Sequence, residues 1–144
     1  MLELALSLAV IGFAMVSIMG LLAVGLNISR DAGDDHMASQ IAQAIMADCQ
    51  GASFQTNKAG LSSTTFQIPD FDIFTNVHML YFGKDGGMPS MEKEPKSYYA
   101  VEICTNPPPV KVDGMAFVDV RVSWPASSVS NRTSYYYSTV VTRR

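Results

Sequence analysis

Residues 4–28, LALSLAVIGFAMVSIMGLLAVGLNI, contain no charged side chain, although Glu3 stands at the edge of the run. A helix needs roughly 20 apolar residues to cross the core of a bilayer, so this run is long enough to span one. It has neither the basic start nor the small-residue cleavage site of a secretory signal peptide. The run therefore predicts a retained membrane anchor, and the cost of burying a carboxylate raises the question of what Glu3 does there.

A second helical pattern follows the apolar run. After Arg30 the chain turns polar, and apolar residues then recur at spacings of three and four: Ala38, Ile41, Ala42, Ile45, Met46 and Cys49. This spacing places them on one face of a helix. The sequence therefore predicts one N-terminal helix over residues 1–50, with 1–28 as membrane anchor and 29–50 as an amphipathic half. Gly33 is a candidate bend and Gly51 a candidate end.

The remainder of the chain, residues 51–144, is predicted to form a β-rich globular head. Strands are expected at 77–82, 97–105, 116–124 and 133–142, with a short one at 65–68. In 116–124 apolar and polar residues alternate, which indicates one buried face and one wet face. An antiparallel sheet with one apolar face needs a cover, and the amphipathic half of the helix can supply it. The expected fold is α+β, a long N-terminal helix packed by its second half on an antiparallel sheet of about four strands.

Charge and composition exclude several functions. The 144 residues include 10 Lys and Arg against 13 Asp and Glu, a net charge of -3, which argues against nucleic-acid binding. There are two histidines, and neither Cys nor Ser occurs in a nucleophile-elbow context, so no enzyme activity and no cofactor are expected. His36 follows two aspartates, but consecutive helical residues point in different directions, so no metal site is predicted there.

The two cysteines, Cys49 and Cys104, form no C-x-x-C motif, so zinc binding and thioredoxin-type chemistry lack support. Cys49 lies on the helix face expected to meet the sheet. Cys104 is in phase with Glu102 and opposite Val101 and Ile103, which are expected to be buried. A disulfide between the cysteines would require a bulge or a strand end at Cys104. A bridge and two free thiols both remain open.

The start of the chain resembles a known family. Met1-Leu2-Glu3 matches the last three positions of F-T-L-x-E, the N-terminal signature of type IV pilins and of the pseudopilins of type II secretion, which precedes a long hydrophobic helix. The spacing from Glu3 to Gly12 is similar to that between the family's glutamate and its first helix glycine, and Gly20 falls where many pilins have proline. Residues 20–50, followed by residues 79–86 and a final strand, are similar to minor, PilV-like or GspI-like pseudopilins and to the pseudopilin-like "cassette B" proteins of Verrucomicrobia.

The resemblance implies a filament subunit. In that family a prepilin peptidase removes a leader, the new N-terminus is usually methylated, and an inner-membrane assembly platform extrudes subunits into a helical fibre. The glutamate, here Glu3, is expected to pair with the N-terminal amine of a neighbouring subunit, here that of Met1. The family has four residues before this glutamate and the sequence has two. We therefore expect a processed or trimmed form, with either two residues missing before Met1 or an amine about 3 Å nearer its own carboxylate.

Three glycines of the apolar run have two interpretations. Gly12, Gly20 and Gly25 are candidates for close helix packing or for local melting of the helix on assembly. Alternatively, they reflect the ordinary frequency of glycine in membrane helices.

The expected function is that of a structural subunit of a type IV pilus-like or pseudopilus filament. Its expected partners are further copies of itself, other pilin subunits, the assembly platform, the prepilin peptidase and, before assembly, the membrane. The expected location is the inner membrane first, then an extracellular filament or a periplasmic pseudopilus. The alternative is a non-polymerising bitopic anchor that displays a periplasmic binding module. A component of a secretion or DNA-uptake pseudopilus is a third interpretation.

Overall fold

The computed structural model describes residues 2–51, 65–68, 77–106, 115–128 and 130–142. They form helix α1 and four strands in chain order: α1 (Leu2–Gly51), β1 (His78–Phe82), β2 (Tyr99–Asn106), β3 (Met115–Trp124) and β4 (Thr133–Thr142). Helix α1 packs against the four-stranded antiparallel sheet, which confirms the predicted α+β architecture. The bounds of the strands lie within two residues of the predicted ones.

Contacts divide the chain into two units, residues 1–36 and residues 37–144. We call them the anchor unit and the head. The sequence-based division at residue 50 marks the end of the helix. The contacts instead group residues 37–51 of α1 with the head, because the apolar face of this part of the helix belongs to the head's core.

The anchor unit is regular α-helix throughout its described residues, and α1 continues through Gly33 without interruption. Two serines inside the apolar run satisfy their hydroxyls within the helix. Ser7 Oγ donates to the carbonyl of Glu3 and Ser17 Oγ to that of Phe13, each at 2.9 Å. Hydroxyls bonded in this way add no unsatisfied polar group to an apolar surface.

The sheet of the head has the order β1-β2-β3-β4, so each strand pairs antiparallel with its neighbour in sequence. The short strand predicted at 65–68 is wrong, since these residues are irregular. The reason is the backbone of Gln67, whose φ of 53° lies outside the range of an extended strand. Ile68 beside it is nevertheless fully buried.

The core of the head lies between α1 and one face of the sheet. The predicted apolar stripe of the helix is buried there, and Met46 is partly buried against it: Ala38, Ile41, Ala42, Ile45 and Cys49. From β3 the predicted inward set faces the helix: Ala116, Val118, Val120, Val122 and Trp124. Removing a large aliphatic side chain such as Ile45 from water contributes about 2 kcal/mol, so this interface is the main source of stability of the head.

The connection after β1 closes one edge of the sheet. Tyr81 N donates to Ser90 O and Ser90 N donates to Tyr81 O, both at 2.8 Å. Gly86 allows the turn, since its φ of 67° is in the left-handed region and a Cβ there would lie 2.5 Å from Met37 Sδ. The loop therefore folds back as an extra bridge along β1.

Candidate functional site

Among the described residues, most of the exposed large apolar side chains belong to the anchor unit. From Leu2 to Ile28 the large apolar side chains are between 54% and 83% exposed. They lie all around the helix, so the apolar surface is not restricted to one face. A continuous exposed apolar surface of this size is costly in water. Within the described residues nothing covers it, so it requires lipid or another protein.

Helix α1 is long and apolar enough to cross a membrane, by length and composition. Core helices of soluble proteins and signal sequences satisfy the same two criteria. The most apolar window of α1 is 0% buried, which separates it from a core helix. The structure is therefore compatible with membrane anchoring, as the sequence predicted.

Glu3 lies in the first turn of α1 and is its only acidic residue there. Its side chain is exposed, and no cation of the described residues forms an ion pair with it. The positive end of the helix dipole stabilises a carboxylate at this position by about 0.3–1 kcal/mol. Met1, the expected source of the partner amine, lies outside the described residues. Pairing between Glu3 and the amine of a neighbour stays a prediction.

The three glycines of the anchor unit lie in different directions around the helix. A Cβ added at Gly12, Gly20 or Gly25 would meet nothing within 4 Å. At 3.6 residues per turn, Gly20 is about 80° around the axis from Gly12, and Gly25 is about 140° further on. They do not form a single stripe for one partner helix. Gly25 contributes to a shallow apolar groove together with its neighbours Ile18, Leu21, Leu22 and Leu26. A role of the glycines in packing or melting stays a prediction.

No protein-family model, curated protein or solved structure matches this chain. The resemblance to pilins and pseudopilins therefore depends on the N-terminal helix, segment 79–86 and the final strand alone.

The two cysteines are free thiols on different sides of the sheet. Cys49 is 0% exposed in the core, on the helix face that meets the sheet. Cys104 is partly exposed and lies on the opposite face, in phase with Glu102. Its strand pairs with β3 without interruption from Ala100 to Asn106, so the bulge that a bridge would require is absent. The disulfide, which the sequence left open, is not formed.

Burial sets the reactivity of both thiols. Loss of solvent raises the pKa of Cys49 to about 12, and the nearby Asp48 carboxylate adds to the shift. Burial also raises the pKa of Cys104, with the Glu102 and Asp119 carboxylates as further causes. Because the thiolate is the nucleophile, neither residue is activated.

We expect a neutral maleimide to modify Cys104 slowly in the folded full chain and to leave Cys49 unmodified until the head unfolds. Mass spectrometry after labelling with and without denaturant measures this. The Cys104→Ser variant is the control and should take up no label when folded. Folding raises the pKa of Cys49, so the neutral thiol favours the folded state. The free energy of unfolding is therefore highest below the pKa of the unfolded thiol and falls as the pH rises towards 12. Equal labelling of Cys49 in the folded and unfolded states would contradict its burial.

A polar cluster on the face of the sheet opposite the helix was not predicted from the sequence. Arg121 Nη1 lies 3.0 Å from Glu102 Oε2, and the guanidinium sits 5.7 Å from the ring centroid of Tyr136. Asp119 accepts hydrogen bonds from Asn106 Nδ2 at 2.7 Å and from Ser138 Oγ. These pairs link β2, β3 and β4. The alternation in 116–124 placed Asp119 and Arg121 on the wet face, but their partners depend on strand register.

The side chains of this polar cluster pair with one another across neighbouring strands. Arg121 and Glu102 are partly exposed, with 36% and 24% of their side chains accessible, so solvent screens their attraction. Such pairs contribute less than about 1 kcal/mol each. Among the described residues no group of three His, Cys, Asp or Glu side chains is arranged to hold a metal ion.

Proposed function

We propose that the chain is a structural subunit of a type IV pilus-like or pseudopilus filament, assembled by packing of the N-terminal helices. The observation that carries the proposal is one helix with two surfaces. Residues 4–28 expose apolar side chains on every side, while the buried face of residues 38–49 belongs to the core of a folded head. A subunit that is stored in lipid and later polymerised needs both surfaces.

Two further features favour polymerisation over simple anchoring. The glycines face several directions, which suits a helix with several helical neighbours. Glu3 is placed where the family's glutamate pairs with a neighbouring amine. A carboxylate inside a packed helical bundle needs a cation, and the N-terminal amine of the next subunit supplies one. In a simple anchor, by contrast, Glu3 would lie unpaired at the level of the lipid headgroups and the glycines would reflect their ordinary frequency in membrane helices.

This function implies a path and a set of partners. The subunit resides in the inner membrane and is then extruded into an extracellular filament or a periplasmic pseudopilus. A prepilin peptidase processes and usually methylates the N-terminus, and an assembly platform moves the subunit. Copies of the chain and other pilin subunits supply the neighbouring helices.

A second candidate is a non-polymerising bitopic anchor that displays the head as a periplasmic binding module. It is favoured by the absence of burial in the apolar window of α1, because lipid alone satisfies such a surface.

Fractionation of cells that produce the full chain, after treatment with a short amine-reactive cross-linker, tests the proposal. Regular filaments containing the chain in sheared surface material indicate a pilus. Cross-linked ladders of the chain in the cell envelope indicate a pseudopilus. Recovery of the chain in the inner membrane with no cross-linked species larger than a dimer refutes polymerisation and supports the anchor.

A further inference from the structure

The two edges of the sheet differ in their protection. Strand β1 has five residues, and Ser90 hydrogen-bonds to Tyr81 along its outer side. Strand β4 has ten residues and, among the described residues, pairs with β3 alone. A long unpaired edge exposes a row of backbone donors and acceptors that can bind another strand. Of the two outer strands that the structure describes, β4 is therefore the one with an open edge.

Strand β4 also lacks the features that usually prevent edge pairing. Its sequence, TSYYYSTVVT, contains no charged residue and no proline. Its register with β3 runs without a bulge from Met115↔Thr142 to Trp124↔Thr133. Tyrosine, threonine and valine favour extended structure. Charges, prolines and bulges are the usual protection of edge strands, so β4 is available for pairing.

We propose that β4 pairs antiparallel with β4 of a second copy of this chain, which joins two heads into one continuous sheet. Strand β1 of another copy is excluded as the partner, because a head-to-tail contact of β4 with β1 would have to displace Ser90. Strand β4 of the other copy is then the remaining edge of the described sheet. An uncharged strand can also lie against its own copy without placing like charges opposite each other. The resulting contact is two-fold symmetric and closed.

The pleat of the sheet restricts the register of this pair. Opposed residues must lie on the same face, because a slip of one residue would turn every side chain over. Two nearly complete registers satisfy this condition, one centred on Tyr137 and one on Ser138. The register centred on Ser138 places Tyr136, which is 72% exposed, opposite Val140 of the other copy, which is 43% exposed. Aromatic and β-branched side chains make favourable cross-strand pairs, and symmetry supplies this pair twice.

A side-chain hydrogen bond joins helix α1 to strand β4. Gln50 Nε2 donates to Thr139 Oγ1 at 3.0 Å, which is a contact between side chains on the helix-facing side. The backbone edge and the outward residues Tyr136, Ser138 and Val140 are not involved.

The pairing is independent of the proposed filament function. Helical fibres grow through contacts that repeat, whereas a two-fold contact closes after two copies. The β4 pair therefore joins the heads of two membrane-anchored subunits, or the heads of two subunits in neighbouring fibres. Glu3→Ala should leave it unchanged, so failure of either proposal can be recognised separately.

Disulfide trapping in the full chain, in detergent, tests the register directly. In a Cys104→Ser background, Ser138→Cys places two cysteines opposite each other with Cα atoms about 4.5–5.5 Å apart, within disulfide range. Ser134→Cys is the matched control, since the two copies of residue 134 would be about 26 Å apart. Under mild copper-catalysed air oxidation we expect about tenfold more disulfide dimer from Ser138→Cys.

A second pair of variants tests the side-chain contact. Adding Val140→Lys to the Ser138→Cys chain should lower the yield of cross-linked dimer about tenfold, because both Tyr136–Val140 pairs are lost. Met88→Lys is the control, since Met88 is 98% exposed outside β4 and its replacement should change nothing. Thermal melting should show that every variant is folded. Equal trapping at residues 134 and 138, no effect of Val140→Lys, or cross-links solely to other proteins would overturn the proposal.

Discussion

Replacing Glu3 by alanine is expected to abolish assembly while the subunit still enters the membrane. In the proposed fibre the carboxylate of Glu3 pairs with the amine of a neighbour inside a bundle of apolar helices. Removing one partner of a buried ion pair leaves the other charge uncompensated, at a cost of about 3–5 kcal/mol. The yield of filaments should fall on the order of a hundredfold or more. Electron microscopy and quantitative blotting of sheared material measure the loss, and carbonate extraction of membranes measures insertion.

The size of this effect separates two roles of Glu3. Stabilisation of the helix dipole contributes at most about 1 kcal/mol and does not involve a neighbour. Asp31→Ala is the matched control, because Asp31 is an exposed carboxylate on the same helix beyond the apolar run. We expect Asp31→Ala to assemble normally. Normal assembly of Glu3→Ala would refute the pairing and favour the bitopic anchor.

Replacing Ile45 by alanine is expected to give a large loss of stability in the head. Ile45 is 0% exposed and lies between the helix and the sheet. Replacement of a buried isoleucine by alanine typically costs about 2–5 kcal/mol, through lost burial and the cavity that remains. For a domain of this size the melting temperature should fall by roughly 10 °C or more. Near-ultraviolet circular dichroism reports it, since Trp124 lies in the same core.

Ile18→Ala provides the same substitution on the same helix at a side chain that is 64% exposed. In detergent it should leave the melting temperature of the head unchanged. Ile45→Ala should in turn leave membrane insertion intact, because residue 45 lies outside the apolar run. An equal loss of stability in both variants would contradict the assignment of the helix's second half to the core of the head.

Much of the fold could be predicted because its elements have strong periodic patterns. The helical spacing from Ala38 to Cys49 gave the buried face of α1, and the alternation in 116–124 gave the buried face of β3. Ser123, on the face predicted to be wet, is buried and donates a hydrogen bond to the carbonyl of Ala100. The failure at 65–68 has a local cause, since the left-handed backbone of Gln67 cannot be recognised from a polar, non-glycine residue.

Less of the candidate site could be predicted, because it depends on strand pairing. Glu102 and Arg121 are partners through the register of β2 and β3, and sequence periodicity gives faces but no register. The open edge of β4 likewise required the order of the strands in the sheet. The proposed roles of Glu3 and the three glycines depend on neighbouring subunits. A single folded chain supplies only one of the two surfaces in each of those contacts.

The order of the strands also has a consequence for synthesis. Since β1 to β4 are neighbours in the same order in the sheet and in the chain, each of β2, β3 and β4 finds its partner already synthesised. Short sequence separations of this kind favour rapid folding. The covering helix precedes the strands, so the growing sheet has an apolar surface to pack on from the beginning. Of these four strands β4 is made last, so β1, β2 and β3 all have a partner before β4 is added.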